Sequence, residues 1–284
     1  MKCFMLPGQP LFRSPRLPQD DDWQQIVALC RSHALFDPES GEWFAPDGTD
    51  NVALQIYGVA MSLYGARLLK KSGVTPGIVA EHSMGIYPAL ALCGSLPEEA
   101  ALEITSRGGR VMARMGISRR YGLGCVVGLT LEPLLALAKN HGVYLANQNT
   151  DRHFLLSGEE LPMEAAMAEA LLAGAFSART FPCDAPLHTP LLGEMERELR
   201  EIFSDYRYRD PVVPLMNHID QSCLSGGDLA EFMYRELLLP VQWEGTYRAL
   251  RGAGATLFLE VGGGDSLKKY NRWIDSQFKG NDSP

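Results

Sequence analysis

The stretch Val79-Ala80-Glu81-His82-Ser83-Met84-Gly85-Ile86-Tyr87 decides how the rest of the chain is read. A short apolar run, Gly77 to Ala80, leads into it, and a helical pattern continues from it through Pro88 to Cys93. A serine between a strand and a helix can sit on a strained turn that exposes its hydroxyl above the sheet. The helix that follows then offers N-terminal amides and a positive dipole end to any oxyanion formed there. Such a turn brings backbone segments together, so the residues two before and two after the serine should be small. Gly85 meets that need and Glu81 does not. On these residues alone, an ordinary tight turn and a reactive one both remain open.

A reactive serine needs a base. His82 is adjacent, but its side chain leaves the turn in another direction. Of the remaining histidines (His33, His141, His153, His188 and His218), His188 stands apart. It lies in Asp184-Ala185-Pro186-Leu187-His188-Thr189-Pro190, where chain order leaves it free to face Ser83.

Working outward, residues 2–6 read as a buried strand ended by Pro7-Gly8, and 8–50 are irregular with a helical patch near Asp22 to Leu35. Residues 51–72 and 97–115 carry helical patterns. From about residue 119 to 184 the order becomes β-α-β-β-α-β, a ferredoxin-like unit. Beyond it come a helix at 189–204, a strand at 211–217, helical segments across 228–251 broken at Pro240, and a strand from Thr256 to Val261. The expected fold is α/β, a mainly parallel sheet with flanking helices like an α/β-hydrolase core. Residues 1–118 and 185–284 form its large part, and 119–184 an inserted ferredoxin-like subdomain.

Composition narrows the function. Of 284 residues, 46% are hydrophobic and 21% charged, as in an ordinary globular protein. The net charge of −8 argues against nucleic acid or an acidic membrane as partner. No apolar run approaches the ~18 residues that span a bilayer, and no leader is evident, so a cytoplasmic location is expected. The six cysteines are scattered, without metal-ligand spacing, so no metal site is expected. The Gly262-Gly263-Gly264 run lacks the pattern of a phosphate loop.

The residues then carry a resemblance to malonyl-CoA:acyl carrier protein transacylases and the acyltransferase domains of polyketide and fatty acid synthases. FMLPGQ resembles the family's FPGQGSQ, and AEHSMGIYPAL its AGHSLGEYSAL. TSRGGRVM is similar to xxRGxxMQ, NQNTDRHFLLSG to NFNSPGQVVIAG, and LHTPLL to FHSPLM. ELLLPVQW and LFLEVGGGDSL match QLxxPVQW and xFxEVGPGxVL, and ALQIYGVAMSLYGARLL places Gln55 on a family glutamine. The matches run in order along most of the chain.

The resemblance implies a role for each residue. Ser83 would take the acyl group as an ester and His188 would be its base, steadied by a main-chain carbonyl at Glu236, where the family often has Gln. Backbone N–H groups of Gln9 and Met84 would form the oxyanion hole; the Met84 donor also follows from the turn geometry. Arg107 would grip the malonyl carboxylate, with Gln55 in the same pocket. Asn147 and Asn149 would order the subdomain edge or touch substrate. The donor would be malonyl-CoA, a coenzyme A thioester used as substrate with no bound cofactor. The acceptor would be the phosphopantetheine thiol of an acyl carrier protein, and the family default is a monomer.

Three departures stand out: Glu81 for glycine, Ile86 for an acidic residue, and Pro10-Leu11-Phe12 for GSQ. The carboxylate lost at 86 and gained at 81 suggests a local exchange. A carboxylate near the serine also suggests a thioester hydrolase of the same fold, and lost turnover would leave a carrier-binding subunit.

Overall fold

The computed structural model describes residues 1–11, 13–45 and 48–281. The chain opens with β1 (Lys2–Leu6), α1 (Asp21–Leu29), and the short pair β2 (Phe44–Ala45) and β3 (Gly48–Thr49). Then come α2 (Asn51–Lys71), β4 (Ile78–Glu81), α3 (Ile86–Leu92), α4 (Glu98–Ala113) and α5 (Met115–Ser118). The next run is β5 (Tyr121–Val127), α6 (Leu131–His141), β6 (Tyr144–Thr150), β7 (His153–Glu159), α7 (Glu160–Leu172) and β8 (Ser177–Cys183). The chain continues with α8 (Glu196–Ser204), β9 (Leu215–Met216), α9 (Leu229–Leu238), β10 (Val241–Gln242), α10 (Trp243–Gly252), β11 (Leu257–Glu260) and α11 (Ser266–Asn281).

Two sheets organise these elements. The first runs β11-β1-β4-β9, and every pairing in it is parallel. Its inner strands are apolar on both faces, as a sheet covered by helices on both sides requires: Cys3 to Leu6 and Ile78 to Ala80 are all buried. One face packs into the large core with Phe4, Leu6 and Val79 against Trp23, Ile56, Val59 and Leu90. The other face places Cys3, Met5 and Ala80 against Trp243, Leu250 and Leu267.

The second sheet runs β10-β6-β7-β5-β8, with β6, β7, β5 and β8 antiparallel. The order of these four strands and their two helices is the ferredoxin-like arrangement read from the sequence. Sequence periodicity gave no sign of β10. This two-residue strand falls where Pro240 interrupts the helical pattern, and it joins β6 in parallel, so a segment beyond residue 184 extends the second sheet. The strand expected at 211–217 is confined to Leu215–Met216, and α11 went unread.

α2 positions much of the site. It starts at Asp50, whose Oδ1 accepts the Ala53 N–H at 2.9 Å, and stops before Gly73, which has φ 71°. By length and mean hydropathy, 1.3, it is apolar enough to cross a membrane, which the search for a continuous apolar run missed. Its Leu54, Ile56, Tyr57, Val59 and Leu63 are buried in the large core, which is how a core helix behaves. Asp50→Ala should cost about 1 kcal/mol through the lost cap. A urea midpoint shifted at constant slope would show it.

Candidate active site

β4 ends at Glu81, and the chain turns through His82 and Ser83 into a 3-10 turn, Ser83–Gly85, that leads directly into α3. Ser83 has φ 55°, a left-handed backbone that a serine adopts only when its surroundings enforce it. They do so by close approach. A Cβ on Gly85 would lie 2.2 Å from the Leu6 carbonyl oxygen and 3.0 Å from that of Pro7. A Cβ on Gly8 would lie 2.9 Å from His82 Nδ1, with Ser83 Cβ at 3.5 Å. The loop after β1 is therefore pressed against the serine turn, as an oxyanion-hole loop must be.

His188 reaches Ser83 across the molecule. Its Nε2 lies 2.6 Å from Ser83 Oγ, and its Nδ1 lies 2.9 Å from the Glu236 carbonyl oxygen and 3.2 Å from that of Leu239. Two carbonyl acceptors require Nδ1 to carry the proton, which leaves Nε2 as the lone-pair acceptor facing the serine. This tautomer is the one a general base needs. His188 also has a positive φ, 57°, so both members of the pair are held in strained backbone. Burial lowers its pKa to about 3, so the imidazole rests neutral.

Gln9, whose main chain the resemblance places in the oxyanion hole, is fixed by a relay of amides. Gln55 Nε2 donates to Gln9 Oε1 at 3.0 Å, Gln9 Nε2 donates to Asn51 Oδ1 at 3.2 Å, and Asn51 Nδ2 donates to Asp184 Oδ2 at 3.0 Å. Gln55 thus orients Gln9. Met84, the other expected donor, follows Ser83 and is buried. A narrow cleft beside them is lined by Gln9, Gln55, Gly109, Met112, Asp184 and Leu187, among others.

Arg107 is placed elsewhere. Its Nη2 donates to Asp205 at 2.6 Å, its Nη1 donates to Tyr206 Oη at 3.0 Å, and the guanidinium lies 5.6 Å from the Tyr206 ring centroid. It does not line the cleft, nor does any Lys or Arg among the described residues. The guanidinium of Arg107 is held by Asp205 and Tyr206.

Asn149 Oδ1 lies 2.8 Å from His82 Nε2, and its Nδ2 lies 3.1 Å from His153 Nδ1, so Asn149 ties the serine turn to the second sheet. Asn147 is buried opposite Val241 in the β6–β10 pairing. Burial lowers the pKa of His82 and of His153 to about 4. In the unfolded chain each would titrate at 6.5, so their contribution to stability is complete above that pH and is lost as pH falls toward 4. The melting temperature should accordingly fall between pH 7 and pH 5, and replacing His153 with glutamine should reduce that fall.

Glu81, the departure within the serine turn, lies wholly inside the protein. Its carboxyl group contacts His218 Nδ1 at 2.7 Å and shows no exposure. It does not splay the turn, and buried there it has no solvent water to activate at Ser83. Nor has it exchanged places with residue 86: Ile86 is buried in the large apolar core. The sequence singled out neither His218 nor its pairing with Glu81; only an unexplained carboxylate in a buried strand pointed toward it.

An acyltransferase is the class that this α/β sheet, inserted subdomain and strained Ser–His pair define. Residues 33–263 match the model of the acyl transferase domain family, and the chain belongs to that family. It is 28% identical over 213 residues to the malonyl CoA-acyl carrier protein transacylase of Bacillus subtilis, covering 72% of this chain and 67% of that one. It is 25% identical over 228 residues to the polyketide biosynthesis protein ThaF of Burkholderia thailandensis, covering 79% of this chain but only 19% of that longer protein. Among solved structures it resembles the malonyl CoA-acyl carrier protein transacylase of Coxiella burnetii, with TM-score 0.87, 23% identity, and coverage of 97% and 91%. It also resembles PlMCAT, a malonyl-transacylase solved with a type II polyketide acyl-carrier protein, with TM-score 0.87, 22% identity, and coverage of 97% and 93%.

Proposed function

We propose that the chain transfers an acyl group from a coenzyme A thioester to the phosphopantetheine thiol of an acyl carrier protein, by way of an ester on Ser83. The observation that carries this reading is the 2.6 Å contact between Ser83 Oγ and His188 Nε2, with Nδ1 committed to two carbonyls. Ser83 Oγ attacks the thioester carbonyl as His188 takes its proton. The carbon–sulfur bond breaks, and the proton passes to the departing thiolate of coenzyme A. The carrier thiol then repeats the cycle in reverse, giving up its proton to His188 and taking the acyl group. Main-chain N–H groups of Gln9 and Met84 would hold the oxyanion in both halves.

Malonyl-CoA is the donor that the relatives' names support, and the solved carrier complex of PlMCAT supports a carrier protein as acceptor. Incubation with malonyl-CoA should leave one acyl adduct by intact mass, mapped to Ser83 and discharged by a holo-carrier protein. A wild-type mass unchanged by malonyl-, acetyl- and longer acyl-CoA would end the reading.

The placement of Arg107 makes a separate prediction about selectivity. With that guanidinium committed to Asp205 and Tyr206, Arg107→Ala should change the rate of malonyl labelling by no more than about threefold, the scale of an exposed ion pair. Malonyl-CoA and acetyl-CoA should label within about tenfold of each other, because among the described residues no Lys or Arg lines the cleft beside Gln9. A hundredfold preference for malonyl-CoA that vanished in Arg107→Ala would show that the arginine swings into the cleft.

A further inference from the structure

Behind His188 lies a buried cluster that the transfer chemistry leaves unused. Glu81 places Oε1 and Oε2 at 2.8 and 2.7 Å from His218 Nδ1, and Oε1 also accepts the His218 main-chain N–H at 3.0 Å. The His218 ring stands edge-on to His188, with centroids 6.0 Å apart. Glu236, on α9, completes the group with Oε2 at 3.9 Å from His188 Nδ1. Polar atoms of His188, His218 and Glu236 lie within 4.8 Å of one another. His218 Nε2 and Glu236 Oε2 are both buried without a hydrogen-bond partner.

Two carboxyl groups and an imidazole in one sealed place are costly, and an apolar set of the same volume would be cheaper to bury. Glu81 is one of the chain's departures from the pattern it resembles, and Glu236 stands where that pattern often has glutamine. The need they meet is visible next door. When His188 takes the serine proton it becomes a cation, itself buried, with only neutral carbonyl dipoles on its Nδ1.

We propose that Glu81, His218 and Glu236 are positioning residues that share one negative charge and shift it toward His188 as the imidazolium forms. At rest, Glu81 is the carboxylate, His218 carries its proton on Nδ1, and Glu236 is protonated. As Ser83 gives its proton to His188, Glu236 passes its own to His218 Nε2, and His218 Nδ1 passes one to Glu81. The set keeps a charge of minus one throughout, and that charge ends on Glu236, beside the imidazolium. The relay requires His218 Nε2 and Glu236 Oε2, the two unpartnered atoms, to come within hydrogen-bond distance of each other. The titratable groups facing the set are Ser83 and His82 from the turn, Tyr87 from α3, and Tyr208 beyond Tyr87. None is a fixed cation.

The proposal rests on Ser83 as nucleophile and His188 as base, and its test uses neither thioester nor carrier. A fluorophosphonate forms a bond from Ser83 Oγ to phosphorus as fluoride leaves and His188 takes the serine proton, so its rate reads the strength of the base. That rate would be followed by intact mass from about pH 9 down to the lowest pH at which the fold survives. Glu81→Gln and Glu236→Gln should each slow labelling about tenfold at pH 7 and move the acid limb to lower pH. The double variant should be no slower than the slower single one, because each change breaks the same relay. Should Glu81→Gln fail to fold, Glu236→Gln carries the test at a position where the resembled family accepts glutamine.

Single variants with wild-type rates and an unmoved acid limb would overturn the proposal, as would losses that multiply in the double variant. So would wild-type protein holding stoichiometric zinc whose removal by EDTA alters labelling, since the cluster would then be a metal site. A wild type that labels with fluorophosphonate but not with acyl-CoA would sink the transfer reading alone. One that labels with neither would sink both.

Discussion

Ser83→Ala is expected to form no acyl adduct with any coenzyme A thioester, and His188→Ala to form one at least ~10³-fold more slowly than wild type. The two substitutions should not compound. Once the hydroxyl is gone the base has no proton to take, so Ser83→Ala/His188→Ala should match Ser83→Ala. The expectation follows from the arrangement: among the described residues, Ser83 Oγ meets a proton acceptor at the 2.6 Å contact with His188 Nε2. Both residues hold positive φ, which spends stability to keep that contact aligned. Alanine does not relieve that strain, so an unchanged circular dichroism spectrum should accompany each loss of labelling. A single adduct that persisted in Ser83→Ala, mapped to another residue, would refute the assignment.

The second large effect is on the scaffold. Gly85→Ala should destabilise the protein by about 3 kcal/mol and abolish labelling, because its Cβ would lie 2.2 Å from the Leu6 carbonyl oxygen. That carbonyl cannot yield cheaply. It already accepts the His82 N–H at 3.0 Å, and Leu6 is paired in register with Glu81. Moving it would open the β1–β4 edge from which the serine turn hangs. Gly73→Ala is the control: Gly73 has φ 71°, where Gly85 has an ordinary helical φ of -58°, and nothing lies within 4 Å of a Cβ added at Gly73. It should cost about 1 kcal/mol and leave labelling intact. A loss at Gly85 no larger than the one at Gly73 would mean that the press of Leu6 does not set the requirement at Gly85.

What the sequence disclosed and what it hid divide along physical lines. The long elements were legible because apolar periodicity is local: α2, α4 and the β-α-β-β-α-β run each carry it within their own residues. β10 was not, because two residues hold no period and the strand exists only through pairing with Asn147 and Gln148 far away in sequence. The contact between Ser83 and His188 was legible from motif and chain order. The hydrogen bonds of Arg107 to Asp205 and Tyr206 were not legible, because those partners lie 98 and 99 residues away in sequence. Glu81 was noticed as an oddity but not understood. Its partner, His218, lies 137 residues away, and nothing in either segment announces the other.

The strand order β11-β1-β4-β9 has a consequence for the protein during its own synthesis. The strand that carries the serine turn lies between a neighbour from the first residues and one from near residue 215, while the carbonyls that orient the base belong to residues 236 and 239. A ribosome delivers these pieces in that order, one after another. A nascent chain shorter than Leu239 holds a serine without an oriented base, and one shorter than Leu257 lacks the strand that flanks β1. Chemical competence therefore arrives late and all at once. Unfinished or prematurely released fragments lack the contact between Ser83 and an oriented His188.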